Sequence, residues 1–436
     1  MDYPVALLCR YGGFPERSEV LMDRQSLRMQ WAQLLVLSSV HFLVDMFGNI
    51  LPAILPAIRR EFVMSLSVGG FILASLTLTS NGVQLVTGQM RPNKTRPLFL
   101  YLGMLAAACV CLIPAAPRSP VGVILLVGFG VLSGCGIAIA HPEGLRAVHT
   151  LDRISPSLST AVFMTSGFFG FASGGAISAA LVASYGLAGL YPLMFSSLLG
   201  ILAVRAVRVR LAVAPGQTQG GGDPQGPSAA TVLPVPFWKI LVVGIPAAVS
   251  TTVVLLLIPT HLDVLGFDLR FGGFSTAMFG WGGAIGPFVW AAIAYRKGDL
   301  PSSFGAFMLS VPFAILYLVF VQQSAAVWFL FGTGFSAMSG YILTITLARD
   351  AEGLNLGHRM AFIVGGTWGI AMLIFLPLSA LADRLGTGPI LRLAPAGYLL
   401  SGLLAFWVLW QYPELARPRR VRPALEVGSE EHTPVA

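Results

Sequence analysis

The sequence predicts an all-α integral membrane protein in which twelve transmembrane helices form two six-helix bundles. Three observations support this prediction. The chain is 55% hydrophobic but only 11% charged, long apolar segments follow one another along it, and a polar stretch divides these segments into two sets of six. Ordinary soluble domains are about 25% charged, so the chain has too few charges to cover a water-soluble surface.

Each of the twelve apolar segments is long enough to cross the hydrocarbon core of a bilayer, which takes about 20 helical residues. Short polar hinges separate the segments from one another. Their predicted bounds are 31–55, 67–90, 98–116, 121–140, 158–185, 190–207, 237–261, 271–295, 303–322, 325–348, 360–381 and 390–412.

A stretch rich in Gly and Pro lies between the sixth and seventh segments and can sustain neither a helix nor a core. The first 28 residues lack the apolar core and cleavage site of a signal peptide, so we expect the first helix in the mature protein. The predicted units are a cytoplasmic tail at 1–28, an N-terminal bundle at 29–207, a cytoplasmic linker at 208–236, a C-terminal bundle at 237–412 and a disordered cytoplasmic tail at 413–436.

The distribution of basic residues predicts the orientation, because Lys and Arg are enriched in the cytoplasmic loops of membrane proteins. With both termini in the cytoplasm, 21 of the 27 basic residues flank cytoplasmic helix ends and 6 flank the opposite ends. We therefore predict a multi-pass protein of the cell membrane, in a bacterium the inner membrane, with both termini cytoplasmic. The net charge of +8 reflects this topology, so we expect no nucleic-acid partner.

Asp45 is the only acidic residue well inside a predicted span. An ionisable side chain in hydrocarbon is costly and by default marks a functional site. His41, Asp45 and Asn49 recur at i, i+4 and i+8 and so share one face of the first helix. We predict that Asp45 with its partner His41 binds the coupling proton and that Asn49 faces a substrate cavity. The alternative is that Asp45 only accepts hydrogen bonds that fix the packing.

A charged cluster is predicted at the cytoplasmic end of the fourth span, where Glu143 and Arg146 lie at i and i+3. Pro142 bends or begins the last turn and aims His141 toward the cavity. Arg349 occupies the corresponding end of the tenth span. We predict that His141, Glu143, Arg146 and Arg349 form an inward gate, with solvated surface pairs of little energetic value as the alternative.

Polar residues in the second and tenth spans are candidates for lining a pathway. We predict Gln84 and Tyr341 as substrate-cavity residues. The alternative use of such groups is hydrogen bonding between helices.

A Phe-x-x-x-Gly-x-x-Gly pattern recurs at the same place in the fifth and eleventh spans. Parallel repeats that flank a site near the bilayer midplane are typical of rocking transporters. Small residues let helix backbones approach closely, so we predict helix-packing roles for the glycines of this pattern and its extension. They are Gly167, Gly170, Gly174, Gly366 and Gly369.

Motifs of other protein classes are missing from the sequence. The four cysteines suggest neither a disulfide framework nor a metal site, and no P-loop, zinc cluster or nucleophile triad is found. We therefore expect no cofactor, no metal ion and no enzymatic activity. Without an ATP-binding motif, any uphill transport must draw on an ion gradient.

Three segments resemble a known family. They are the first-span run from His41 to Met46, the fourth-span end from His141 to Arg146, and the Gly-rich fifth span. Together with the two-half organisation, they resemble the major facilitator superfamily and, within it, the fosmidomycin-resistance branch. The antiporter signature of the fifth span appears here with Phe171 in place of its proline.

This resemblance implies the major facilitator fold and a secondary active transporter that works by alternating access. We expect proton-coupled efflux of a small organic compound or drug, with a small-molecule substrate, protons and the lipid bilayer as partners of a monomer. One alternative is an importer or facilitator of an organic anion or other metabolite. Alternatives from other classes are a non-transporting receptor or scaffold and a membrane enzyme acting on lipid.

Overall fold

The computed structural model of the chain describes residues 17–87, 94–212 and 233–416, which are almost entirely helical. The α-helices there are α1 (Arg17–Gly48), α2 (Ile50–Phe62), α3 (Leu66–Thr87), α4 (Leu98–Ala107), α5 (Pro120–Val148), α6 (Pro156–Tyr185), α7 (Tyr191–Ala206), α8 (Phe237–Val264), α9 (Leu269–Lys297), α10 (Asp299–Val319), α11 (Val327–Asp350), α12 (Leu356–Met360), α13 (Thr367–Leu385), α14 (Thr387–Leu391) and α15 (Ala394–Gln411). A π-helix, Ala361–Gly366, joins α12 to α13.

Within these described ranges, twelve helical segments are long and apolar enough to cross a membrane. They are span 1 (Ser26–Phe62), span 2 (Leu66–Gln84), span 3 (Leu98–Ala115), span 4 (Pro120–Val148), span 5 (Leu158–Tyr185), span 6 (Leu187–Ala206), span 7 (Phe237–Val264), span 8 (Leu269–Lys297), span 9 (Asp299–Val319), span 10 (Ser324–Asp350), span 11 (Gly357–Leu385) and span 12 (Thr387–Gln411). The prediction of an all-α protein with twelve transmembrane helices is confirmed.

Span 1 differs from the prediction at both its start and its middle. Its helix begins at Arg17, inside the segment predicted as a tail, and is broken at Asn49. The break has a local cause, because a helix continuing through Gly48 would need an N–H from Pro52, which proline lacks. At the break, the Asn49 side chain donates to the carbonyl oxygen of Phe171 on span 5 at 2.8 Å.

The ends of the predicted linker are held by their own halves of the molecule. The N–H of Leu211 donates to the carbonyl oxygen of Thr95 at 2.9 Å. On the other side, strand β1 (Leu233–Pro236) pairs in parallel with β2 (Ala351–Glu352), directly after span 10. The middle of the predicted linker and most of the tail predicted to be disordered lie outside the described residues.

The two halves pack against each other mainly through spans 5 and 8 and through spans 2 and 11. Small residues bring spans 5 and 8 together, since a Cβ on Gly273 would lie 2.5 Å from Cβ of Ala179. The indole N–H of Trp281 donates to the hydroxyl of Ser173 across this interface at 3.2 Å. Span 1 packs against the same span 5 and therefore lies beside this interface between the halves.

Candidate functional site

Two histidines and one aspartate from spans 1 and 4 converge inside the N-terminal half. Oδ1 of Asp45 lies 2.9 Å from Nε2 of His141, and its Oδ2 lies 3.3 Å from Nε2 of His41. The side chain of His41 is 4% exposed, that of Asp45 18% and that of His141 21%. This His–Asp–His cluster is therefore closed on the His41 side and partly open on the His141 side.

Backbone carbonyl groups fix the orientation of both imidazole rings. Nδ1 of His41 lies 2.7 Å from the carbonyl oxygen of Phe163, and Nδ1 of His141 lies 2.8 Å from that of Ile137. A carbonyl oxygen can only accept a hydrogen bond, so each Nδ1 carries a hydrogen. Both Nε2 atoms are left facing the carboxylate, and each of these contacts needs a proton on the ring or on the carboxyl group.

The cluster is assembled by sequence spacing on span 1 and by ring stacking between spans. His41 and Asp45 are one helical turn apart on α1. The ring of His41 stacks on Phe163 of span 5 with centroids 4.1 Å apart and meets the ring of His141 edge-on at 5.0 Å. Aromatic contacts of this geometry hold the imidazole against rotation.

Gly167 provides the room in which the cluster forms. A Cβ at this position would lie 2.5 Å from Oδ2 of Asp45 and closer still to Cε1 of His41. One and two turns further on, a Cβ at Gly170 or Gly174 would collide with a backbone carbonyl group of span 1. Span 5 thus lies against the backbone of span 1 at Gly170 and Gly174 and against the side chains of the cluster at Gly167.

The matching glycines of span 11 are in a different environment. A Cβ at Gly369 would meet no atom within 4 Å, and one at Gly366 would meet Phe362 and Ala361 of its own helix. The packing role predicted for these two glycines is therefore not seen in this conformation. The repeat in the sequence coincides with the π-helix of span 11 instead of a close helix contact.

The residues predicted to form the gate have local partners. Glu143 is 3% exposed, and its Oε2 accepts from the N–H of Leu100 in the first turn of α4 at 2.9 Å. Arg146 donates through Nη2 to the carbonyl oxygens of Ala212 and Lys94 at 2.7 and 2.9 Å. These contacts lie within the N-terminal half.

The other two residues assigned to the gate are placed as follows. His141 belongs to the buried cluster rather than to the rim. Arg349 is 58% exposed and pairs with its neighbour Asp350 at 3.0 Å. A contact between Arg349 and the N-terminal half is not among the ion pairs of the described residues.

Two of the three predicted cavity residues need correction. Asn49 is 1% exposed and satisfied by Phe171, while Tyr341 is 4% exposed and donates to the carbonyl oxygen of Ile363 at 2.5 Å. Each side chain satisfies a carbonyl group of a neighbouring span, so neither reaches a cavity in this conformation. Gln84 is exposed near the end of span 2.

One face of the molecule is closed by contacts between the halves, at the helix ends farthest from the linker. The carboxylate of Asp383 at the end of span 11 accepts from the N–H groups of Leu66 and Ser67 at 2.7 and 2.8 Å and from the hydroxyl of Ser67. Leu66 and Ser67 form the first turn of α3, where a helix dipole favours a negative charge. We call these contacts and the two described next the far-face clasp.

Two further contacts complete the far-face clasp. Arg60 at the end of span 1 forms an ion pair with Asp263 at the end of span 7. Arg270 at the start of span 8 donates to the hydroxyl of Ser184 at the end of span 5 at 2.9 Å. Sequence reasoning missed these contacts because each joins residues at least 86 positions apart, and the one available signal was the presence of polar residues at span ends.

The cluster also has atom types that bind transition metals. Its three facing atoms all lie within 4.8 Å of one another. Bond lengths of about 2.0–2.2 Å to a tetrahedral zinc ion would hold two ligand atoms about 3.3 Å apart. The contact between Nε2 of His141 and Oδ1 of Asp45 is 2.9 Å, a hydrogen-bond distance, and that between Nε2 of His41 and Oδ2 of Asp45 is 3.3 Å.

The fold and the site together define a class of protein. Two six-helix bundles in a membrane, joined by a small-residue interface, clasped at one face and holding an ionisable cluster beside that interface, are typical of carriers that work by alternating access. The family model described as Major Facilitator Superfamily matches residues 37–351, and the chain belongs to this superfamily. It is a transporter embedded in a membrane and not an enzyme, as the sequence predicted.

Two relatives show how far the similarity extends. The chain is 24% identical over 379 residues to the uncharacterized MFS-type transporter YfnC of Bacillus subtilis (strain 168), covering 86% of this chain and 91% of that protein. It is 23% identical over 349 residues to the fosmidomycin resistance protein of Escherichia coli (strain K12), covering 76% and 82%. The predicted resemblance to this branch is confirmed at low identity.

Solved structures show the same fold. A bacterial homolog to the human lysosomal transporter Spinster, in an inward-facing and unoccupied conformation, superposes with a TM-score of 0.65 at 13% identity, covering 89% of this chain and 98% of that one. A D-xylose–proton symporter superposes with a TM-score of 0.62 at 14% identity, covering 88% and 97%. At these identities the similarity concerns the fold.

Proposed function

We propose that this transporter is a secondary active carrier that exports a small organic compound or drug in exchange for protons. The observation that carries the proposal is the His–Asp–His cluster, the place in the described spans where a carboxylate meets two imidazoles. A carrier without ATP machinery needs a group that can change charge inside the barrier. Efflux is favoured by the similarity to a protein named for resistance to fosmidomycin.

The cluster would couple the two fluxes through its partly open side. His141 and Asp45 are about one-fifth exposed, and protons would reach the cluster through this side, because His41 is covered by Phe163. Release of the last shared proton leaves the cluster with a net negative charge in a medium where charge is costly. Binding of substrate or of a new proton would restore the balance and permit the halves to rock.

We assign the linker face to the cytoplasm of a bacterial inner membrane, on the strength of the basic-residue distribution. The far-face clasp then closes the outer side, and the conformation is inward-facing. Glu143, Arg146 and Arg349 lie at the linker-side ends of spans 4 and 10, and we propose that they close the inward gate when the clasp opens. One chain carries both of the predicted bundles, and we propose that the carrier works as a monomer.

Proteoliposomes test this function while the substrate is still unidentified. A panel of antibiotics and metabolites is added to vesicles with an acidic interior, and a pH-sensitive dye records which compound collapses the gradient. An exchanger accumulates that compound only when the interior is acidic, whichever way the protein is inserted. Accumulation driven by an acidic exterior would identify a symporter, accumulation under neither gradient a facilitator, and binding without flux a receptor. Each of these outcomes would overturn the proposal.

A further inference from the structure

We propose that the fully loaded His–Asp–His cluster holds two exchangeable protons, one in each contact between an Nε2 atom and the carboxylate. His141, which the sequence assigned to the gate, is then a proton carrier. This inference deepens the proposed function and rests on it for the consequence in transport. The proton count of the cluster itself rests on geometry alone.

The backbone determines which ring atoms exchange protons. Because the Nδ1 hydrogens of His41 and His141 are donated to Phe163 and Ile137 at 2.7 and 2.8 Å, the neutral form of each ring has a lone pair at Nε2. Each Nε2 faces a different oxygen of Asp45. The two contacts are therefore separate proton sites that share one carboxylate.

The charge of the cluster follows from the number of shared protons. With none, the charge is −1 and lone pairs face each other at both contacts. With one, the cluster is neutral and one contact is satisfied. With two, both contacts are hydrogen-bonded and the charge is +1. Since the sites share Asp45, the protons leave in two coupled steps that belong to the cluster and not to single residues.

Other titratable groups lie on the elements that pack against α1, outside the cluster. Glu143 and Arg146 lie nearer the linker-side end of span 4, and Glu143 accepts a hydrogen bond from the N–H of Leu100. The other titratable groups on these elements are Cys135 on span 4, Tyr101, Cys109 and Cys111 on span 3, Tyr185 on span 5, Tyr191 and Arg205 on span 6, and Arg59, Arg60 and Glu61 at the end of span 1. The two imidazoles are the ion-pair partners of Asp45 among the described residues.

The two contacts differ in access. His41 is 4% exposed and covered by Phe163, whereas His141 is 21% exposed. His141 therefore exchanges its proton with the surroundings of the cluster first, and His41 exchanges through Asp45. Loss of His141 should remove one proton and slow the exchange of the other, whereas loss of His41 should remove one proton without slowing the rest.

Nitrogen-15 NMR of histidine-labelled protein in lipid bilayers counts these protons directly, because imidazole nitrogen shifts distinguish neutral from doubly protonated rings. The chain has six histidines, so His41→Gln and His141→Gln assign the two signals by their loss. Glutamine keeps a donor near the Nε2 position without titrating. The exposed His149, directly after span 4 and outside the cluster, supplies the matched control His149→Gln.

We expect both cluster rings to keep hydrogen at Nδ1 at every pH and to gain a second hydrogen at Nε2 in two resolved steps. Each single Gln variant should leave one step, and His149→Gln should leave both. A ring that stays neutral throughout, or a neutral form with its hydrogen on Nε2, would overturn the inference. The parallel flux assay separates the two claims: two titrating rings without proton-driven flux would refute only the proposed function, and proton-driven flux with one titrating ring only this inference.

Discussion

At the scale of single residues, the space around Gly167 is as important as the charges of the cluster. A side chain at this position would have to displace Asp45 or His41. A Cβ at the pseudo-equivalent Gly369 would meet no atom within 4 Å, so this glycine offers a matched comparison in the other half of the molecule.

We expect Gly167→Ala to lower stability by about 1–3 kcal/mol, the usual cost of overpacking, and to abolish proton-driven transport because the cluster is pushed apart. Gly369→Ala should leave both properties near their wild-type values. Thermal unfolding in detergent and flux in proteoliposomes under a pH gradient measure the two effects. Equal behaviour of the two variants would show that the close approach at Gly167 has no bearing on the site.

The sequence predicted the pairing of Asp45 with His41 because helical spacing alone places them together. It assigned His141 to the gate because nothing local relates residue 141 to residue 45, and only the packing of span 4 on span 1 brings them within hydrogen-bonding distance. Asn49 was assigned to the cavity because it shares a helix face with Asp45, and Tyr341 was assigned from its polarity alone. Their actual partners are carbonyl groups of neighbouring spans, which sequence patterns do not reveal.

At the scale of helices, the far-face clasp joins the first turn of α3 to the last turn of α13. We expect Asp383→Asn to weaken it, because an amide lacks the charge that the helix dipole attracts and offers a single acceptor oxygen. Asp268→Asn is a matched control, since Asp268 lies on the same face but caps only its own helix through Arg270 N–H at 3.2 Å.

Labelling of a cysteine at Ala57 would report opening of the far face. Ala57 is 8% exposed and lines the pocket that also contains Arg60 and Asp263. In a background without native cysteines, Ala57→Cys should react several-fold faster with a membrane-impermeant thiol reagent when combined with Asp383→Asn than when combined with Asp268→Asn. Equal rates would mean that Asp383 does not hold the face closed.

At the opposite face, removal of a gate arginine should favour the conformation described here. In this conformation, Arg349→Gln loses only the side-chain contact with Asp350. In the conformation with a closed inward gate, it would lose the contacts that hold the gate closed. Accessibility of cysteines to reagent added from the cytoplasmic side should rise in Arg349→Gln and in Arg146→Gln. If it is unchanged in both, these residues are solvated helix ends.

Helix positions were predictable because apolar length determines what can span a bilayer. The irregularities within the helices were not predicted. The π-helix at Ala361–Gly366 contains Ile363, whose carbonyl oxygen accepts from Tyr341 of another span, whereas the break at Asn49 has a local signal in Pro52 that the prediction did not use. The far-face clasp depends on which conformation of the two halves is populated, and hydropathy carries no information on that.

At the scale of the whole molecule, alternating access by two parallel halves requires that both termini and the linker share one side of the membrane. We expect both the position after Arg422 and the linker near Gly221 to lie in the cytoplasm. A reporter that is active only in the cytoplasm should therefore be active at either position. Both positions follow an even number of spans, and the basic residues favour the cytoplasm for that side. An externally accessible linker would contradict the topology and the two-half arrangement together.

Proton coupling through Asp45 is central to the proposed mechanism, and one variant tests it most directly. Asp45→Asn keeps the shape and most of the hydrogen-bonding capacity of the side chain but cannot titrate. The measurement is uptake of the substrate found in the dye assay, into proteoliposomes with an imposed pH gradient and, separately, by exchange without a gradient. Asp45→Glu is the control that retains the carboxyl group.

We expect Asp45→Asn to fold and to exchange substrate downhill, but no longer to accumulate it when the gradient is imposed, while Asp45→Glu retains part of the accumulation. If Asp45→Asn also loses exchange, the unfolding temperature of the purified variant shows whether the loss comes from misfolding. Accumulation by Asp45→Asn at the wild-type rate would contradict the mechanism, since Asp45 would then be a packing residue and the coupling would reside elsewhere.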